Sequence, residues 1–204
     1  MDLLDNYKKA WKNQPEEEDK FSAVEIYKLA QSRSISIVKW IFIIGILEFV
    51  VLNSLYLFID AKEALQEYKK LGLENFIYVS QTIFYVIILY FLVKFYLNYK
   101  KISTSDSTRV LMKKIIKTRK TVRSYVIFNL AYTAIISIII MFAEINVNFE
   151  DLSVKQILLF CLLILLLITV ILVVFWLFYR LLYGFLLRKL KKNYKELAKL
   201  DNVN

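Results

Sequence analysis

The sequence predicts an all-α, polytopic membrane protein: four transmembrane helices with long cytoplasmic helical extensions and both termini in the cytoplasm. Three observations carry this expectation. Apolar residues fill 58% of the 204 positions, against about 45–50% in a soluble domain. They gather into four blocks, Trp40–Ile59, Phe76–Leu97, Tyr125–Ile145 and Ile157–Tyr179, each near or above the ~20 residues that cross a bilayer core. Charge inside the blocks is confined to Glu48, Lys94 and Glu144, whereas a soluble helix of that length would carry a charged face.

The third observation is where lysine and arginine fall. Tyr99–Arg123 holds nine basic residues against Asp106, and Arg188–Asn204 holds six against Glu196 and Asp201. The alternate loops, Asp60–Asn75 and Asn146–Lys155, are acidic or balanced. The positive-inside rule therefore assigns the termini and the middle segment to the cytoplasm. The net charge of +10 follows from that bias and from attraction to anionic headgroups, with no direct nucleic-acid partner required. Trp40, Tyr96, Tyr99, Tyr125, Trp176 and Tyr179 all fall at the cytoplasmic edge, where an aromatic belt is expected.

Composition narrows the chemistry. Three Gly, one Pro and one Cys exclude collagen, proline-rich linkers and a disulfide framework. The absence of His removes the usual general base and the commonest metal ligand. No catalytic residue, cofactor or metal is expected, and Cys161 in its leucine run reads as a small apolar filler.

Taken in order, residues 1–34 form a cytoplasmic segment of two helices. Leu3, Leu4, Tyr7, Ala10 and Trp11 share one helical face opposite Asp5, Lys8, Lys9 and Lys12. Pro15 and the acids Glu16–Asp19 interrupt that pattern. A second helix starts at the capping box Ser22-x-x-Glu25, with Phe21 placed to staple onto Ile26, and meets no breaker before Trp40. No secretory h-region precedes the first span, which is expected to act as an uncleaved signal-anchor. A 12-residue amphipathic helix is marginal alone in water, so Leu3, Leu4, Tyr7 and Trp11 need a cover: the bilayer surface, the protein's own helices, or a partner protein.

Residues 35–98 form the first transmembrane hairpin and 99–123 a basic cytoplasmic helix. That helix opens with the N-cap residues Ser103–Asp106 and runs into the third span without Gly or Pro. Leu111, Ile115, Thr118 and Val122 mark one face. Lys113, Lys114, Lys117, Arg119, Lys120 and Arg123 fill the rest and are candidates for lipid headgroups or an acidic partner. Residues 124–187 form the second hairpin, whose last helix opens with the capping box Ser153-x-x-Gln156 and extends from Val154 to about Leu200 through the basic tail 188–204.

Polar groups inside the spans are costly and often functional. Glu48 lies nine residues past Lys39, a depth of about 13 Å. Lys94 sits near the end of the second span, so the two can meet across the hairpin as an ion pair, as a protonated Glu48 beside a snorkelling lysine, or as a proton or cation site. Asn129, Thr133 and Ser137 recur at i, i+4 and i+8, a stripe expected to face other helices and bond to them.

The stretches MDLLDNYKKAWKNQ (1–14) and EIYKLAQSRSISIVKWIFIIGILEF (25–49) resemble a family of small multi-pass membrane proteins of Bacteroidetes, chiefly flavobacteria. Such proteins are often labelled beta-carotene monooxygenases and are associated with extracytoplasmic-function sigma factors. An oxygenase would hold iron through several histidines, and this chain has none. The sigma-factor association implies an anti-sigma-like regulator of the bacterial inner membrane that tethers its cytoplasmic partner through Leu3, Leu4, Tyr7 and Trp11. The competing readings are a structural or lipid-interacting subunit of a membrane complex, homo-oligomers included, and a small transporter or channel using Glu48, Lys94, Asn129 and Ser137.

Overall fold

The computed structural model describes residues 23–54, 61–103, 107–148 and 153–201. All its regular elements are helices: α1 Ala23–Ser54, α2 Ala61–Lys70, α3 Glu74–Ser103, α4 Thr108–Asn148 and α5 Val154–Asp201. Four of them, all but α2, are long and apolar enough to cross a membrane. The chain is a multi-pass helical membrane protein.

Local sequence explains where the helices start and stop. The extension before Trp40 and the first span form one uninterrupted helix, α1, as the lack of a breaker predicts. Helix α4 likewise joins the basic segment to the third span. Its cap, however, is Ser107, whose hydroxyl oxygen accepts a hydrogen bond from the Val110 N–H. Ser103, expected to open this helix, is instead the last residue of α3, and its hydroxyl donates to the Lys100 carbonyl. At the start of α5 the capping box forms: the Ser153 N–H donates to Gln156 Oε1 at 3.0 Å. Helix α5 then continues through Gly184 to Asp201.

Helix α2 falls in a segment read from sequence as a plain loop. It ends in a Schellman motif, with Gly72 at φ 68°, Leu73 N–H donating to the Tyr68 carbonyl and Gly72 N–H to that of Lys69. Glycine adopts that left-handed conformation without the Cβ penalty.

The long helices pack as an antiparallel ring in chain order, α1 against α3, α3 against α4, α4 against α5, and α5 back against α1. At 1.5 Å per residue, α4 and α5 are about 60 and 70 Å long, roughly twice a hydrocarbon core of ~30 Å. The bundle therefore has two zones. Towards the end that carries the α3–α4 connection, Ala30, Val38, Ile102, Leu111, Ile115 and Leu190 are fully enclosed, and lysines and arginines cover the outside. This is a water-type core, in which the extensions pack on one another. The face predicted from Leu111, Ile115, Thr118 and Val122 is the buried one. In the other zone Leu158, Leu159, Leu162, Leu163, Leu166 and Leu167 are exposed, as suits helices solvated by lipid tails, which are as apolar as leucine.

Close approach of α1 and α3 relies on Gly45. A Cβ there would lie 3.2 Å from Leu92 Cδ2 and 3.2 Å from Phe95 Cδ2. At Gly184 the nearest atom would be Arg180 Cγ at 3.6 Å. Gly45→Val is expected to destabilise the detergent-solubilised protein by about 1–3 kcal/mol through overpacking. Gly184→Ala should instead stabilise it by about 0.5–1 kcal/mol, the usual gain on replacing a helical glycine. Thermal unfolding of both variants checks the opposite signs.

Candidate functional site

The most concentrated buried polar chemistry in the described residues surrounds Glu48, which α1 carries into the bundle at 6% exposure. The Tyr179 hydroxyl donates to its Oε1 at 2.7 Å and the Tyr183 hydroxyl to its Oε2 at 2.9 Å. Both tyrosines come from α5, one turn apart, so their hydroxyls reach the two oxygens of one carboxylate. Tyr125 of α4 adjoins the same carboxylate and meets both rings edge-on, at 6.2 and 6.0 Å between centroids. Phe91 and Phe95 of α3 close the cage against Tyr125, each at 5.4 Å. All four long helices thus meet at one acid.

Two sequence expectations change here. Tyr125 and Tyr179 were placed in an interfacial belt by their position, yet both are buried in the cage; Trp40, Tyr96 and Trp176 do face outward. Lys94 does not pair with Glu48. Its ammonium lies over the Tyr90 ring, 5.1 Å from the centroid, because α3 turns Phe91 and Phe95 inward and Lys94 away from them. Tyrosine hydroxyls satisfy the acid instead. They supply two donors without bringing a second charge out of water.

The cage also sits nearer to cations on the neighbouring helices than its distance from Lys39 suggested. Lys94 neighbours Phe95, Arg180 neighbours Tyr179, and Arg123 is two residues from Tyr125. On α4 and α5 Arg123 and Arg180 border the apolar stretch, and on α3 Lys94 lies three residues inside its end. Glu48 therefore lies close to the level of the outward cations Arg123 and Arg180.

Further polar contacts tie the same helices. Asn193 Nδ2 donates to the Ser34 hydroxyl at 3.0 Å, buried between α5 and α1, and Arg33 lies 3.8 Å from Glu196. The Tyr85 hydroxyl donates to Asn53 Oδ1 at 2.8 Å between α3 and α1. Asn98 Nδ2 donates to the Thr121 hydroxyl at 3.2 Å between α3 and α4. Ser34, Asn98 and Asn193 were not singled out from sequence, although a polar residue recurring on an apolar helical face was the available signal.

The Asn129, Thr133, Ser137 stripe behaves differently from expectation. Asn129 is buried, but its amide donates to the Tyr125 carbonyl and the Thr133 hydroxyl to the Asn129 carbonyl, both within α4. Such i−4 bonds satisfy the donors locally, so these two groups do not form the interhelical links that the spacing suggested. Ser137 is half-buried on the same helix.

Among the basic candidates, Lys113, Lys117, Lys120 and Arg123 are exposed. Lys114 Nζ donates to the Lys101 carbonyl at 2.6 Å, where a cation suits the C-terminal end of α3. Arg119 is half-buried, with Nε enclosed and without a hydrogen-bond partner among the described residues. Lys113 and Lys114 precede Arg123 by nine or ten positions, about 15 Å along the helix, beyond the ~8 Å reach of surface electrostatics at physiological salt. Leu3, Leu4, Tyr7 and Trp11 lie outside the described residues. No three potential metal ligands converge among the described residues.

A family model described as a domain of unknown function (DUF8845) matches residues 24–202, and the chain belongs to that family. No curated protein and no solved structure matches the chain.

Removing the donors one at a time should weaken the cage in steps. Tyr179→Phe or Tyr183→Phe is expected to cost about 1–3 kcal/mol, the value of a hydrogen bond to a charged or buried group. The double change should cost more than either, and Glu48→Gln, which keeps an acceptor oxygen, less than the double change. Thermal unfolding in one detergent would rank the four variants.

Proposed function

We propose that this chain is a non-enzymatic integral protein of the bacterial cytoplasmic membrane that holds a cytoplasmic protein at the membrane surface. The observation that supports this most is the basic stalk. Three of the spanning helices run well past the apolar zone, and their extensions build a packed core of their own. Anchorage alone needs only ~20 residues per helix, so the extra turns have another use. Their lysines and arginines favour the cytoplasmic side, which would bring both termini there. The segment with Leu3, Leu4, Tyr7 and Trp11 precedes α1 in the chain and is the part assigned to the partner.

The sigma-factor association of the family that residues 1–14 and 25–49 resemble fits an anti-sigma-like regulator. On this reading Leu3, Leu4, Tyr7 and Trp11 supply the apolar contact and the stalk the electrostatic guidance for an acidic partner. A structural or lipid-interacting subunit of a membrane complex is the second reading, favoured by the broad exposed leucine face of α5. A transporter or channel through Glu48, Lys94, Asn129 and Ser137 has less support. Between α3 and α4 the contact is made by rings, with Phe84 stacked at 4.3 Å on Tyr132 and at 5.8 Å on Phe128.

The test is affinity purification of the tagged full chain from its own membranes in mild detergent, with mass spectrometry of what accompanies it. Leu4→Glu together with Trp11→Glu is expected to release a soluble partner while the protein stays in the membrane fraction. Unchanged recovery of that partner would overturn the tethering reading. A reporter fused after Asn204 should report the cytoplasm.

A further inference from the structure

A shallow groove of about 510 Å³ runs along the outside of the bundle between α4 and α5. On α4 its wall is Ile127, Leu130 and Ala131; on α5 it is Thr169, Leu172, Val173 and Trp176. The small Ala131 side chain opens the groove, and Ile127, at 66% exposure, forms its rim. The Thr169 hydroxyl is already bonded to the Leu165 carbonyl at 2.8 Å, so the lining presents an almost wholly apolar surface.

Both walls continue into an arginine. Arg123, Ile127 and Ala131 stand at i, i+4 and i+8 on one stripe of α4, and Thr169, Val173, Trp176 and Arg180 at i, i+4, i+7 and i+11 on one stripe of α5. The helices are antiparallel, so the register that brings Ile127 opposite Trp176 brings Arg123 opposite Arg180. Both arginines are exposed, and the Arg180 guanidinium lies over the Trp176 ring, 5.0 Å from its centroid. Among the described residues neither is neutralised by a carboxylate. They are the outward cations close to the level of Glu48. From Thr169 at the far end of the groove to Arg180, one turn past its Trp176 edge, α5 covers eleven residues, about 16 Å, which is the depth of one leaflet of a ~30 Å core.

We propose that this groove is a binding site for one anionic phospholipid, with an acyl chain laid along Ile127, Ala131 and Val173 and the phosphate held between Arg123 and Arg180. Guanidinium groups match phosphate with paired, charge-assisted hydrogen bonds. Trp176, aromatic and exposed at the same level, suits the boundary between headgroup and chain. Charge selects lipid over a second copy of the chain as the occupant. A two-fold axis along the membrane normal would set the arginine pairs of two copies against each other at the same depth. The site stands on its own geometry and does not depend on the tethering reading.

Native mass spectrometry of the full chain, titrated with phosphatidylglycerol or with phosphatidylethanolamine from mixed micelles, tests this. Phosphatidylglycerol is expected to bind preferentially, and R123Q/R180Q to weaken it roughly tenfold or more, as the loss of two interfacial cations implies. Ala131→Phe, which fills the groove from an exposed position, should lower the retention of both lipids. Equal binding of the two lipids, unchanged affinity in R123Q/R180Q, or a dimer that Ala131→Phe dissociates without any change in bound lipid would overturn the proposal.

Discussion

The ring of four helices closes through the carboxylate of Glu48. Between apolar helices in lipid there is no hydrophobic force to choose one neighbour over another, because lipid tails solvate leucine as well as another helix does. Directional bonds must choose. The two tyrosine hydroxyls that α5 gives to Glu48 join the first long helix to the last, and Tyr125 with Phe91 and Phe95 brings in the other two. Asn193 with Ser34 and Asn98 with Thr121 add further directional links between the two hairpins.

Placement of this junction close to the level of Arg123 and Arg180 suits both zones. Below it, towards the termini, water surrounds the helices, and apolar residues such as Val38, Ile102, Ile115 and Leu190 are driven inward. Above it, few side chains are enclosed and α5 shows leucines on most of its circumference. The stacked rings between α3 and α4 provide fit where the hydrophobic effect gives no direction. The same helices therefore obey two packing rules along their length. The buried acid lies where the rules change, and the proposed lipid groove begins at the same level on the outside.

Periodicity made one part of this legible in advance. In the stalk the apolar positions of α4, Leu111, Ile115, Thr118 and Val122, had to face a core because the alternative was water, and they do. The capping box at Ser153 was readable for the same local reason. Within the membrane zone the pattern was uninformative, since nearly every position is apolar whether it faces lipid or protein. Tyr125 and Tyr179 could then be placed by depth but not by direction, and Lys94 could be brought near Glu48 along the hairpin but not turned towards it. Asn129 and Thr133 marked a face correctly, yet their hydrogen bonds stayed within their own helix.

By itself the sequence determined the class: four apolar runs too long for a soluble fold, helices that continue without a breaker from the polar extensions into the first, third and fourth spans, and a strong basic bias at one end. Those properties follow from local backbone geometry and from the solvent each residue prefers. Only the tertiary structure decided which side chains share the interior. That choice depends on the register and rotation of antiparallel helices, which bring residues more than a hundred positions apart, such as Glu48 and Tyr183, within a hydrogen bond. No local pattern encodes such a distance, because the partners belong to different helices and meet only when the ring closes.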